Sequence, residues 1–160
     1  MSVRRTGFTG WMPVGKSAAA AMLIFMLGCN SLVGDEMFPY ATMAKSCAPW
    51  DGLAMDIRLS SRPLKCGDGD VVELTMYFWR ELPLNDDRTF TLGEKTDWGG
   101  ASYCKGGKQP CERATAGSIH IEKFTEGKGG EGTYEIVFRK LGRVRGKFNA
   151  RWCQARTMCG

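Results

Sequence analysis

The amino-acid sequence predicts an all-β fold, an antiparallel β-sandwich or small barrel of about six to seven strands that is stabilised by disulfide bonds. Short segments in which apolar and polar residues alternate recur along the chain, as in strands with one buried face. Turns rich in glycine, asparagine and aspartate separate these segments, and the sequence contains 21 glycines. Seven cysteines among 160 residues indicate disulfide bonds and an oxidising compartment.

Two strands in the first half of the domain are predicted from alternation. Residues 53–59 form the first, because apolar residues from Leu53 to Leu59 occupy every second position. Residues 89–92 form a short strand after the turn sequence Asn85-Asp86-Asp87.

A further strand is predicted at residues 71–79. One of its faces carries Val72, Leu74, Met76 and Phe78. Its other face is only partly polar, so we expect both faces to be covered. The residues of that second face are Glu73, Thr75, Tyr77 and Trp79.

Three strands in quick succession are predicted near the C-terminus, at residues 118–124, 133–140 and 143–153. The glycine-rich segment 126–132 separates the first two, and Leu141-Gly142 separates the last two. Short connections of this kind favour an antiparallel meander.

Residues 93–117 lack a hydrophobic period and are predicted to form the longest irregular segment of the domain. Trp98 and Tyr103 lie within it and are candidate loop contacts, because exposed rings would meet a carbohydrate or a protein. Rings that fold over the sheet would instead form a small core for the loop. Other aromatic candidates lie outside the segment, namely Trp50, Tyr77, Trp79 and Trp152.

The last predicted strand places four cations on one face, Arg143, Arg145, Lys147 and Arg151, together with Asn149. Neighbouring members of such a row are roughly 7 Å apart, which suits a polyanion. The row is therefore a candidate contact with an anionic surface. The alternative is a solvated strand face whose charges discourage edge-to-edge pairing.

An acid–base pair is the strongest enzymatic candidate in the sequence. His120 and Glu122 share a predicted strand face, and Ser102 or Ser118 would be the nucleophile. No sequence motif of a hydrolase surrounds them, so an exposed polar face explains His120 equally well. We therefore expect a protein that is not an enzyme.

An export signal is predicted at the N-terminus. The apolar run at residues 18–27 follows a basic leader and is too short to span a membrane as a stable helix. The sequence Met26-Leu27-Gly28-Cys29 resembles the lipobox of bacterial lipoproteins. That resemblance implies that residues 1–28 are removed and that Cys29 is lipidated as the new N-terminus.

The lipoprotein resemblance also implies a division of the mature chain. Residues 29–46 would be a tether, and residues 47–160 a single β domain. Asn30 is not the aspartate typical of inner-membrane retention, which favours the outer membrane, with the domain facing the periplasm or the cell surface.

Six cysteines remain for the domain, an even number that predicts three disulfide bonds. We favour Cys104–Cys111 as one pair, because the intervening KGGKQP can turn back on itself. The other four lie near the two ends of the domain, and their pairing stays open; they are Cys47, Cys66, Cys153 and Cys159. The spacings do not match a zinc site, and we predict no metal and no cofactor.

Charge argues against a nucleic-acid partner. Removal of the leader lowers the basic count from 22 to 19 against 17 acidic residues, a net charge of +2. The C-terminal sequence GKFNARWCQARTMCG, after GTYEIVF, resembles small disulfide-bearing envelope lipoproteins. We therefore expect a lipid-anchored, non-enzymatic binding or assembly module whose partner is a protein or an anionic envelope polymer. The alternative function is inhibition of a periplasmic hydrolase, in the manner of lysozyme inhibitors.

Overall fold

Nine β-strands and a short 3-10 helix at Lys105–Gly107 make up the part of the chain that the computed structural model describes. The described residues are 32–33, 37–50, 52–79, 88–93, 99–154 and 159. The strands are β1 (Leu32–Val33), β2 (Tyr40–Cys47), β3 (Leu53–Ser60), β4 (Leu74–Phe78), β5 (Arg88–Gly93), β6 (Gly99–Tyr103), β7 (Glu112–Thr125), β8 (Gly129–Phe138) and β9 (Gly142–Cys153).

Seven of these strands close into a barrel in the order β9-β2-β3-β4-β6-β7-β8, with β8 returning to β9. Neighbours are antiparallel except for β2 and β9, which run parallel. An odd number of strands requires one parallel pair, because alternating directions cannot otherwise close. The predicted all-β barrel is confirmed.

Two strands lie outside the ring. β5 pairs with β7 from Arg88↔Ile121 to Gly93↔Ala116, beside the shorter contact between β7 and β6. β1 pairs in parallel with β9, with Leu32 opposite Val144. The predicted meander of the last three strands is confirmed, since β7, β8 and β9 are consecutive antiparallel neighbours.

The barrel interior is filled by the residues that alternation assigned to it. Val72, Leu74, Met76 and Phe78 are all buried, and Phe78 meets Phe90 edge to face with ring centroids 5.0 Å apart. Burying side chains of this size contributes about 2 kcal/mol each. The interior is therefore the main source of stability of the closed sheet.

The tether prediction is wrong for residues 40–46, which belong to β2. This strand is hydrogen-bonded to β3 on one edge and β9 on the other. Thr42, Met43 and Ala44 are consecutive and all buried, so side chains on both faces of the strand are covered there. A strand covered on both faces has no period-two signal in the sequence.

The prediction of an irregular segment at residues 93–117 is also wrong for much of its length. Residues 99–103 form β6, and β7 begins at Glu112; residues 94–98 lie outside the described part. A Cβ atom at Gly99 would lie 1.9 Å from the Tyr77 carbonyl oxygen. The glycine there permits a close approach of β6 to β4. In the sequence, such a glycine is not distinguished from the glycines of a loop.

The six cysteines of the domain form three disulfide bonds. Cys104 pairs with Cys111, as predicted. The other two bonds join the early part of the domain to its end, as Cys47–Cys159 and Cys66–Cys153. The second of these lies beside a hydrogen bond from Arg151 to the Leu64 carbonyl, so two links hold the segment after β3 to β9.

Candidate functional site

A groove of about 1000 Å3 lies on the outside of the barrel. Its floor is formed by the outward residues of β3, β4 and β6, which are Asp56, Thr75, Tyr77 and Ser102. Strand pairing fixes their relative positions, because Asp56 is opposite Tyr77 and Thr75 is opposite both Arg58 and Ser102. The floor is therefore a rigid lattice.

One end of the groove is aromatic. The Trp79 ring stacks on Tyr77, with centroids 5.6 Å apart and an interplanar angle of 26°. Trp50 meets Trp79 edge-on at 5.5 Å and is 58% exposed, the highest exposure among the large apolar residues of the described part. The three rings form one continuous platform that extends beyond the rim of the groove.

Glycines hold this platform in place. A Cβ atom at Gly100 would lie 2.6 Å from the Tyr77 hydroxyl oxygen, so the bare backbone of β6 leaves room for the ring. A Cβ atom at Gly52 would lie 2.7 Å from Trp50 Nε1, so that indole lies close over the hairpin between β2 and β3. The aromatic surface is organised before any ligand arrives.

Polar groups occupy the rest of the floor. Asp56 accepts hydrogen bonds from Ser46 Oγ at 2.8 Å and from Arg58 Nη2 at 3.0 Å, which orient its carboxylate. Hydroxyl groups of Thr75 and Ser102 also line the groove. Together they offer donors and acceptors next to the ring faces.

The opposite wall is the Cys104–Cys111 loop. Arg113 and Gln109 line the groove from this side. A Cβ atom at Gly107 would lie 2.1 Å from the Asp70 carbonyl oxygen, so the loop packs tightly on the 69–71 segment. Arg62 also donates a hydrogen bond to the Gly106 carbonyl at 3.1 Å. The disulfide and these contacts make the wall rigid.

The predicted basic row lies on the exposed face of β9, as alternation indicated, with Val144, Phe148 and Ala150 buried beneath it. Its members differ in their surroundings. Arg143 forms an ion pair with Glu135 at 2.9 Å, and Arg151 donates to the Leu64 carbonyl.

The other two row members flank a shallow depression of about 340 Å3. Arg145 and Lys147 line it with Ser118, His120 and Glu135. Glu135 lies directly opposite Arg145 on β8. The positive charge of the row is thus partly offset by Glu135 on the neighbouring strand. The alternation of residues within β9 could not reveal this, because it carries no information on the strand beside it.

His120 and Glu122 are separated by an irregularity of the sheet. The pairing of β7 with β8 shifts register between Ile121 and Lys123, so Glu122 sits in a bulge that interrupts the alternation. His120 Nδ1 is 2.9 Å from Thr89 Oγ1 on β5. Ser118 shares the depression with His120, whereas Ser102 lies in the groove.

Tyr103 is not at a loop tip. It packs against the core between Phe38 and Phe138, with ring centroids 6.3 and 6.1 Å away. Burial raises the pKa of Tyr103, and the negative charge of Glu73 raises it further. Trp98 and Cys29 lie outside the described residues.

Sequence reasoning missed the groove, although it named some of its parts. Tyr77 and Trp79 were noticed on a face too apolar for plain exposure, and that was the available signal. The contribution of Asp56, Thr75 and Arg113 depends on the pairing of four strands far apart in sequence.

Comparisons with known proteins give no relative from which a role for the groove could be taken. No family model, no curated protein and no solved structure matches this chain. Among the residues with described positions, no helix is long and apolar enough to cross a bilayer. Within the same ranges, no group of three His, Cys, Asp or Glu side chains is placed to hold a metal ion.

Proposed function

We propose that the protein is a lipoprotein of the cell envelope, anchored through lipid on Cys29, that acts as a non-enzymatic binding module. The observation that carries the binding role is the groove, in which the partly exposed ring of Trp79 adjoins oriented polar groups and the exposed ring of Trp50 contacts Trp79 at the rim. Concave sites that combine aromatic surface with a few fixed polar groups are typical of ligand binding. The rigid walls favour recognition over a catalytic cycle with moving parts.

The course of the first strand supports an anchor beside the basic row. β1 runs parallel to β9 with Leu32 opposite Val144, which is next to Arg143 and Arg145. Leu32 is three positions after Cys29 in the sequence, a reach of at most about 10 Å. Lipid on Cys29 would therefore hold the start of the row close to the membrane surface, which we propose to be that of the outer membrane.

The groove would then face away from the membrane. It is centred on β4, which is three strands from β9 in one direction around the barrel and four in the other. The row and the groove thus occupy roughly opposite sides. A module oriented in this way can bind a protein or an envelope polymer while it stays attached.

The alternative function, inhibition of a hydrolase, requires a projecting loop with an aromatic tip. Tyr103, one of the two residues named for that role, is instead packed on the core. The groove is a concave surface, which suits receiving a ligand better than plugging a cleft. We therefore favour the binding module.

A sedimentation experiment tests the binding role. The full chain with Cys29→Ser, which removes the lipid attachment point, is mixed with washed envelope fragments in about 0.5 M salt, which screens the basic row. We expect Trp50→Ala and Trp79→Ala each to weaken sedimentation about 10-fold, since aromatic anchors dominate such contacts. Tyr40→Ala, an exposed ring outside the groove lining, is the matched control and should bind normally. Equal binding by all variants would contradict the proposal.

A vesicle experiment tests the proposed membrane-facing role of the row. In the Cys29→Ser chain, replacing Arg143, Arg145 and Lys147 with alanine should weaken adhesion to phosphatidylglycerol vesicles at low salt about 100-fold. The expectation follows from about 1 kcal/mol for each cation near an anionic surface. The control variant removes equal charge elsewhere, at Arg88, Lys105 and Lys108. An equal loss in both triple variants would show that net charge, and not the row, drives adhesion.

A further inference from the structure

We infer that the groove binds a neutral oligosaccharide. Its sugar rings would pack on the platform formed by Trp50, Tyr77 and Trp79, and its hydroxyl groups would form hydrogen bonds with the polar floor. This inference rests on the proposed binding function and names the ligand class of the same site. Three features of the groove carry it: the form of the aromatic surface, the polar groups beside it, and its charge.

The aromatic surface matches the shape of a sugar ring. A pyranose presents flat patches of C–H groups, which pack favourably on the electron-rich face of an indole. Trp79 and Tyr77 are nearly parallel, so they present a layered flat surface, and Trp50 supports it edge-on. Because these rings contact each other, the platform is a single surface and not a series of separate slots.

The polar floor matches the rim of a sugar ring. A sugar carries several hydroxyl groups that each donate and accept hydrogen bonds around an apolar face. Asp56 is held as an acceptor by Ser46 and Arg58, opposite Tyr77 on the neighbouring strand. Thr75 and Ser102 are opposite each other, two register positions along β4 from Tyr77 and on the same face. Hydrogen-bonding groups thus lie about 5 Å from Tyr77 on the adjacent strand and about 7 Å from it along β4.

The charge of the groove argues against an anionic ligand. The charged residues that line it are Asp56, Asp70 and Arg113. Because Arg58 pairs with Asp56, the groove has no excess of positive charge. Nucleic acids and anionic polymers require a basic track along their phosphates or carboxylates. The basic row is on β9, on the other side of the barrel.

The strand pairing argues against a peptide bound by strand addition. That mode needs an unpaired sheet edge, whereas β4 is paired with β3 on one side and with β6 on the other over its whole length. Proline-rich peptides dock between separate aromatic ridges, and here the three rings are merged. The oligosaccharide is the occupant that uses both the platform and the floor.

Titration with three uncharged tetrasaccharides tests the inference: chitotetraose, cellotetraose and maltotetraose. Binding to the full Cys29→Ser chain is followed by tryptophan fluorescence and calorimetry. We expect at least one of them to bind with a Kd below about 1 mM, and Trp79→Ala to weaken it about 10-fold or more. Trp79→Phe keeps a flat ring and should recover most of the affinity, whereas Ser102→Ala should weaken binding about 5-fold through the lost hydrogen bond. Tyr40→Ala should bind normally, and the thermal unfolding midpoint of each variant checks that it is folded.

The outcomes separate the ligand class from the binding role. No binding of any tetrasaccharide up to about 10 mM, or equal binding by Trp79→Ala, overturns the oligosaccharide. If the envelope fragments still sediment with the protein in a Trp79-dependent manner, the groove remains a binding site and its ligand is a peptide or another molecule. If neither sugars nor fragments depend on Trp79, both the inference and the proposed function fail.

Discussion

Removal of the Cys66–Cys153 disulfide, by replacing both cysteines with alanine, is expected to lower the free energy of unfolding by about 3.5 kcal/mol. The bond spans a sequence separation of 87 residues, but the Cys47–Cys159 bond remains and joins the same two positions through about 25 residues of chain. The unfolded chain therefore gains the conformational freedom of this shorter path when Cys66–Cys153 is lost. Cys153 is also buried at the end of β9. Denaturant unfolding of the oxidised protein, with parent and variant compared at the same pH, measures the change.

The Cys104–Cys111 bond provides the matched comparison, because its sequence separation is only 7. The same chain-entropy reasoning gives about 2.5 kcal/mol for its removal by a double alanine substitution. We therefore expect the two variants to differ by about 1 kcal/mol. Equal losses would show that loop length does not determine what these bonds contribute. The small loop also walls the groove, so its removal should reduce ligand binding more than stability alone would suggest.

Strands with one clear face could be predicted from the sequence. The buried apolar residues Leu74, Met76 and Phe78 of β4 and the alternation along β9 lie as expected, because the barrel interior imposes a period of two. β2 was missed because three consecutive residues, Thr42, Met43 and Ala44, are buried. A local pattern reports the environment of one strand, and β2 is defined by its two neighbours.

The groove could not be predicted for a related reason. Asp56, Tyr77 and Ser102 belong to three strands, and their adjacency follows from registers that only the closed barrel sets. The parallel pairing of β2 with β9, which closes the ring, is a long-range contact with no signal in either segment. The residue types were visible in the sequence, but their arrangement was not.

Glycine was the least reliable signal. The sequence places a divider at residues 126–132, yet β8 already begins at Gly129. Glycine-rich stretches occur both in turns and where two backbones approach closely, and composition does not distinguish these uses. A Cβ atom at Gly129 would lie 2.0 Å from the Ala150 carbonyl oxygen, so close approach is the use here.

Substitution of Gly132 by alanine tests this interpretation and should destabilise the protein by about 3 kcal/mol, the upper end of ordinary overpacking. The added Cβ would lie 2.0 Å from the His120 carbonyl oxygen and 3.0 Å from Phe148 Cζ. The His120 backbone cannot move aside easily, because β7 is paired with β8 on one edge and with β5 on the other. Gly69→Ala is the control, since no atom lies within 4 Å of its added Cβ, and it should change stability by less than about 0.5 kcal/mol. Denaturant midpoints measure the stability of both variants. A Gly132→Ala protein as stable as the parent would show that β7 and β8 are not packed closely enough at this position to exclude a Cβ atom.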